Sequence, residues 1–184
     1  MTMSLFTGFS RALRPALLAG VLALVAWPAP WEGTLEAVVV SEAQVKAAYL
    51  YNFANFVQWP ATGDGPLVIG IAGDDAFAEI VTQFVRGRRV NGREFRTRRL
   101  ASIDDPAGCQ MLYVGVMRPR DASELMQRVR GPILTVGETA QFLREGGMVR
   151  FYLQNNNVRF QIDQKNAEAA GLKVSSQLLA LAAR

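Results

Sequence analysis

Three short runs, Leu67–Ala72 (LVIGIA), Met111–Val116 (MLYVGV) and Ile133–Val136 (ILTV), carry no charged side chain. Stretches with helical spacing separate them. An apolar run of this length has two faces to hide, so it suits a strand covered on both sides. Such strands, alternating with helices, build a parallel sheet clad by helices. The sequence therefore predicts an α/β fold: a single three-layer sandwich domain with a mostly parallel sheet. Farther on, Met148–Leu153 and Val158–Ile162 alternate apolar and polar residues around Asn155-Asn156-Asn157, which predicts a C-terminal antiparallel hairpin.

Helices fill the intervals. Ser41 is a ready N-cap for Glu42–Val57, and Pro60 closes that segment. Val45, Tyr49, Phe53 and Phe56 fall on one face of it, with Lys46 and Gln58 off that face. Ala76–Val85 follows an Asp cap, Asp121–Val129 has a polar face, and Glu138–Arg144 reads as a short helix stopped by Gly146-Gly147. Asn91-Gly92 signals a tight turn into a strand over Glu94–Leu100. Asp163 caps a last helical region, which Gly171 breaks and Ser176–Leu181 resumes.

Residues 1–30 follow a different logic. Arg11 and Arg14 precede the uncharged apolar run Ala16–Ala26, and Trp27-Pro28-Ala29-Pro30 follows it. Basic region, apolar core and breaker is the order of a secretory signal. The run is too short to cross a bilayer, which takes about 20 residues. Residues 1–30 are expected to be a signal peptide, with a cleavage point as late as 43, and residues 42–184 to be the domain. No Cys follows the apolar run, so a lipid anchor there is excluded. Arg11 and Arg14 leave with the signal, so 18 basic and 16 acidic side chains remain, a net charge of +2.

The chemistry available to that domain is narrow. The chain has no His and one Cys, Cys109. That excludes a Ser-His-Asp triad, a Cys-His pair, His-ligated metals, and an intrachain disulfide. No Gly-x-Gly-x-x-Gly follows a strand and no Walker loop exists, so no cofactor is expected. Asp74 and Asp75 sit after a parallel strand at a helix start, a common ligand position, though helix capping explains them as well. Seven arginines crowd Arg86–Arg99, and Arg96 and Arg98 share one strand face. Charge of that kind guards an edge strand, or grips an anion or acidic partner. Asp74, Asp75, Arg96 and Arg98 are thus the ligand-binding candidates of an anion or nucleotide sensor. Nucleic acid is not expected, for want of interleaved aromatics or a recognition helix. Cys109, before a buried strand with no His to activate it, reads as a small core residue. Tyr51 and Trp59 fall off the main face of the first helix and are free to meet a partner.

The blocks VKAAYLYNFANFVQWP (Val45–Pro60), ILTVGETAQFLREGGMVRFYL (Ile133–Leu153), NVRFQID (Asn157–Asp163) and GLKVSSQLLALA (Gly171–Ala182) resemble the signature segments of the YfiR/HmsC family of exported proteins. The resemblance covers essentially the whole exported chain. It implies a dimeric periplasmic α/β protein with no enzymatic activity. Its implied partner is the periplasmic domain of an inner-membrane diguanylate cyclase, held inactive by contact. Release is implied through an outer-membrane or peptidoglycan-associated protein, with cyclic di-GMP, biofilm and exopolysaccharide rising in consequence. Candidate contacts are Tyr51 and Trp59 from the first block, and Arg150, Arg159 and Gln161 from the hairpin. Two departures stand out. Cys109 matches a family cysteine position but has no partner in the chain, which leaves only an intermolecular bridge. Gln161 and Asp163 stand where the family pattern implies Glu and Asn.

Overall fold

In a computed structural model, residues 41–60 and 65–182 are described; the expected signal peptide and its cleavage point lie outside them. In chain order the elements are α1 (Glu42–Phe56), β1 (Val57–Gln58), β2 (Leu67–Ala72), α2 (Asp75–Val85), β3 (Arg89–Val90), β4 (Arg93–Leu100) and β5 (Met111–Val114). Then come α3 (Pro119–Met126), β6 (Leu134–Gly137), β7 (Val149–Gln154), β8 (Asn157–Ile162), α4 (Gln164–Ala169), β9 (Lys173–Val174) and α5 (Ser176–Leu181). Seven strands form one sheet in the order β3-β4-β2-β5-β6-β7-β8. The five from β4 to β7 run parallel, while β3 and β8 pair antiparallel at the two margins.

Strand alternation divides the core into two layers. Leu67, Ile69 and Ile71 of β2, with Met111 and Tyr113 of β5, face α1 and α2. Ala72, Leu112 and Val114 face the other way, toward Leu125 of α3 and Phe142. Every residue of β5 is buried, as the unbroken apolar run demanded. The three-layer α/β fold expected from the runs is the fold observed.

Local signals set the ends. Ser41 Oγ accepts from Gln44 N–H, and Gln44 Oε1 accepts from Ser41 N–H, closing a capping box at α1. Asp74 and Asp163 cap α2 and α4 through the N–H groups of Phe77 and Asn166. The two hairpin turns, Asn91-Gly92 and Asn155-Asn156, have positive φ throughout, which matches the right-handed twist of their strands.

Three expectations change. The buried side of α1 is Lys46, Ala47, Leu50, Phe53 and Ala54, whereas Val45, Tyr49 and Phe56 are half-buried. Lys46 is inside because its ammonium has carboxylate partners there. Glu138–Arg144 is a series of turns, not a helix. The Phe142 ring tucks against Gly137 and Gly147, so closely that a Cβ on either would lie 2.5 or 2.3 Å from it. Its neighbours accordingly bond in mixed fashion: Phe142 N–H to Thr139 O, Glu145 N–H to Gln141 O, Gly147 N–H to Phe142 O. Finally, β1 and β9 pair as a small antiparallel ribbon, Val57 opposite Val174, that no periodicity announced.

Candidate functional site

After β2 the chain moves through α2 toward β4 on one side; after β5 it moves through α3 toward β6 on the other. The carboxyl ends of β2 and β5 are therefore a topological switch point, where open α/β sheets bind ligands. Gly115 lines this crevice, and a Cβ there would meet Ala72 O and Asp74 Cβ at 3.1 Å.

A polar cluster lies beside it. Lys46 Nζ donates to Glu138 Oε1 at 2.6 Å and lies 2.5 Å from Glu42 Oε1. The Tyr113 hydroxyl donates to the same Glu138 oxygen. Burial alone would lower the Lys46 ammonium, but hydrogen bonds and charge from Glu138 and Glu42 raise it above its ordinary range. Tyr113 is pushed far up, first by burial and then by the Glu138 hydrogen bond and charge. The cluster thus holds a lysine charged and a phenol neutral, and ties α1 to the ends of β5 and β6. Its signal in the sequence was a polar residue inside an apolar pattern: Tyr113 within MLYVGV, Lys46 within an aromatic helix.

The sequence candidates scatter. Asp74 is occupied as the α2 cap, and Asp75 is exposed beside it. Their shallow cavity, about 390 Å³, is lined by Arg99 rather than by Arg96 or Arg98. Arg99 lies 3.3 Å from Glu79 of α2, while strand alternation puts Arg96 and Arg98 on the opposite face. Arg98 donates to Asp105 O at 2.7 Å, beside Cys109. The two acids and these two arginines do not converge.

Tyr51 is half-buried: its ring packs 5.5 Å from Phe95 and lies under the Arg88 guanidinium. Trp59 is half-buried and its Nε1–H donates to Gln110 O at 3.0 Å, at the amino end of β5. The hairpin residues do come together. Arg150 stands opposite Gln161, and Tyr152 opposite Arg159, on one face. Arg150 Nη1 donates to Gln161 Oε1 at 3.2 Å, whereas its buried Nε has no partner among the described residues. Arg159 is exposed, and with Leu153 and Asn156 it borders a cavity of about 580 Å³ between the hairpin and the start of α1.

Cys109 is buried, packed against Gly70, where a Cβ would lie 3.0 Å from its sulfur. Burial pushes its thiol up, against the pull of Arg98. Among the described residues no group of three or more Cys, Asp or Glu side chains gathers that could hold a metal ion. Nor, among them, is any helix long and apolar enough to cross a membrane.

A protein-family model described as YfiR/HmsC-like matches residues 43–183, from the first turn of α1 to beyond α5. Among curated proteins none matches the chain.

Proposed function

The chain belongs to the YfiR/HmsC-like family, and on that premise we propose that it is a non-catalytic periplasmic regulator of diguanylate cyclase signalling. It binds the periplasmic domain of an inner-membrane diguanylate cyclase and holds the enzyme inactive by contact. Cyclic di-GMP synthesis is limited as a result, and with it biofilm and exopolysaccharide production. The observation that carries this reading is the extent of the family match, which takes in every described element.

The geometry is in keeping with contact work. The buried polar cluster at the switch point is spent on internal partners, and so acts as a brace between α1 and the sheet. The hairpin, by contrast, presents Arg159 and Leu153 outward beside a broad cavity. Arginine beside apolar surface is a combination that protein interfaces favour. Release falls to an outer-membrane or peptidoglycan-associated partner that competes for the regulator, which itself works as a homodimer.

The test is a calorimetric titration of the exported chain with the purified periplasmic domain of a membrane diguanylate cyclase from the same cells. A saturable complex is expected. Absence of heat and of co-elution would contradict the proposal.

A further inference from the structure

The C-terminal hairpin turns unlike faces to its two sides. Phe151 and Phe160 pack against Tyr49 and Phe53 of α1. Strand alternation then sends Arg150, Tyr152, Arg159 and Gln161 to the side away from α1. Arg150 and Arg159 are diagonal neighbours there, and Tyr152 adjoins both. It stands directly across from Arg159, and the Arg150 guanidinium lies 5.3 Å from its ring centre.

This face carries positive charge that nothing nearby answers. Arg89, Arg99, Arg118 and Arg120 each meet a carboxylate. Among the described residues no carboxylate lies within ion-pair distance of Arg150 or Arg159. Arg159 also reaches the rim of the cavity beside α1, but Glu42, the carboxylate on that cavity, is held by Lys46.

Arg150 is the more telling of the two. Its Nη1 donates to a neutral acceptor, Gln161 Oε1. Its Nε is buried without a partner, and among the described residues Nη2 donates to nothing. Nε and Nη2 together form the edge of a guanidinium that offers two parallel N–H groups, the edge a carboxylate grips side-on. A buried donor left unpaired costs free energy that an incoming acceptor recovers.

We infer that this face takes an Asp or Glu side chain of the partner's periplasmic domain, gripped by the Nε–Nη2 edge of Arg150, with Arg159 adding charge at the rim. The inference rests on the proposed function, since it names where on this chain the partner binds and by what chemistry. Tyr152 gives the incoming chain an aromatic surface to lie on. Arg and Tyr are among the side chains that carry most of the energy at protein interfaces.

The test titrates the cyclase periplasmic domain with the exported chain and with two variants, Arg150→Lys and Arg159→Glu. The first keeps the charge and loses the two-pronged edge; the second reverses a charge at an exposed position. Circular dichroism and thermal melts establish that each is folded, and sedimentation gives its oligomeric state. Each variant is expected to bind about tenfold more weakly or worse. Replacing the acidic residues of the cyclase domain with Arg, one at a time, should find a position that restores binding to Arg159→Glu. Unchanged affinity in the folded variants, or the lack of any restoring position, would overturn the inference and leave the proposed function standing. A change of oligomeric state with unchanged cyclase binding would also overturn it, and would assign the face to a second copy. Absence of wild-type binding would overturn both.

Discussion

Glu138 accepts from Lys46 and from Tyr113, so truncating it strands the buried Tyr113 hydroxyl and leaves the Lys46 ammonium with Glu42 alone. Glu138→Ala is expected to cost about 2–4 kcal/mol in urea unfolding. A loss under about 0.5 kcal/mol, the usual size for a surface change, would show that the cluster braces nothing. Lys46→Met should be milder, because an apolar chain of similar length replaces the buried stem. The same cluster sets a pH dependence. Both Lys46 and Tyr113 have folded pKa values raised above their unfolded ones. Groups of that sign contribute stability that is complete below the unfolded values, about pH 10 to 10.4, and is lost as pH rises beyond them. Stability should therefore fall above pH 10, and Tyr113→Phe should flatten the fall. A second residue-scale expectation concerns Cys109, which is 4% exposed. Its thiol should resist a disulfide reagent in the native protein and react stoichiometrically after unfolding. Rapid native labelling would reopen an intermolecular bridge.

Among the elements, the turns and the Phe142 wedge carry the sharpest predictions. Asn156 has φ of 59°, a region that branched side chains enter at a cost of about 1–2 kcal/mol. Asn156→Val should lower the melting temperature accordingly, and Asn156→Gly should leave it unchanged. Gly137→Ala should force the Phe142 ring aside, at about 1–3 kcal/mol. Elements whose cause is local were legible in the sequence. The charge-free runs announced β2, β5 and β6, the asparagine turns announced both hairpins, and Ser41, Asp74 and Asp163 announced the starts of α1, α2 and α4. What depends on distant partners was not legible. Lys46 lay off the expected face of α1 because its carboxylate comes from 92 residues away. The helix expected at Glu138–Arg144 gave way to turns because two glycines receive a ring. The β1–β9 ribbon joins two-residue strands from opposite ends of the domain, far too short for any period to show.

For the molecule as a whole, charge placement separated what sequence proximity had grouped. Seven arginines within 14 positions read as one patch that guards an edge strand or grips an anion or acidic partner. Strand alternation sends Arg96 and Arg98 to one face and Arg99 to the other, where Glu79 meets it. Arg88 covers Tyr51, and Arg89 pairs with Glu94. These partners hold much of the cluster against the surface of β3, β4 and α2, while Arg96 stays exposed on its own face of β4. The hairpin lies at the far margin of the sheet, where Arg159 and Leu153 both border one cavity. A regulator that acts by contact needs such surfaces and no reacting group. The most direct measurement is the cyclic di-GMP content of cells with and without this chain. Deletion should raise it several-fold, and restoring the exported chain should bring it back. An unchanged level in the deletion strain, with the cyclase present, would contradict the account.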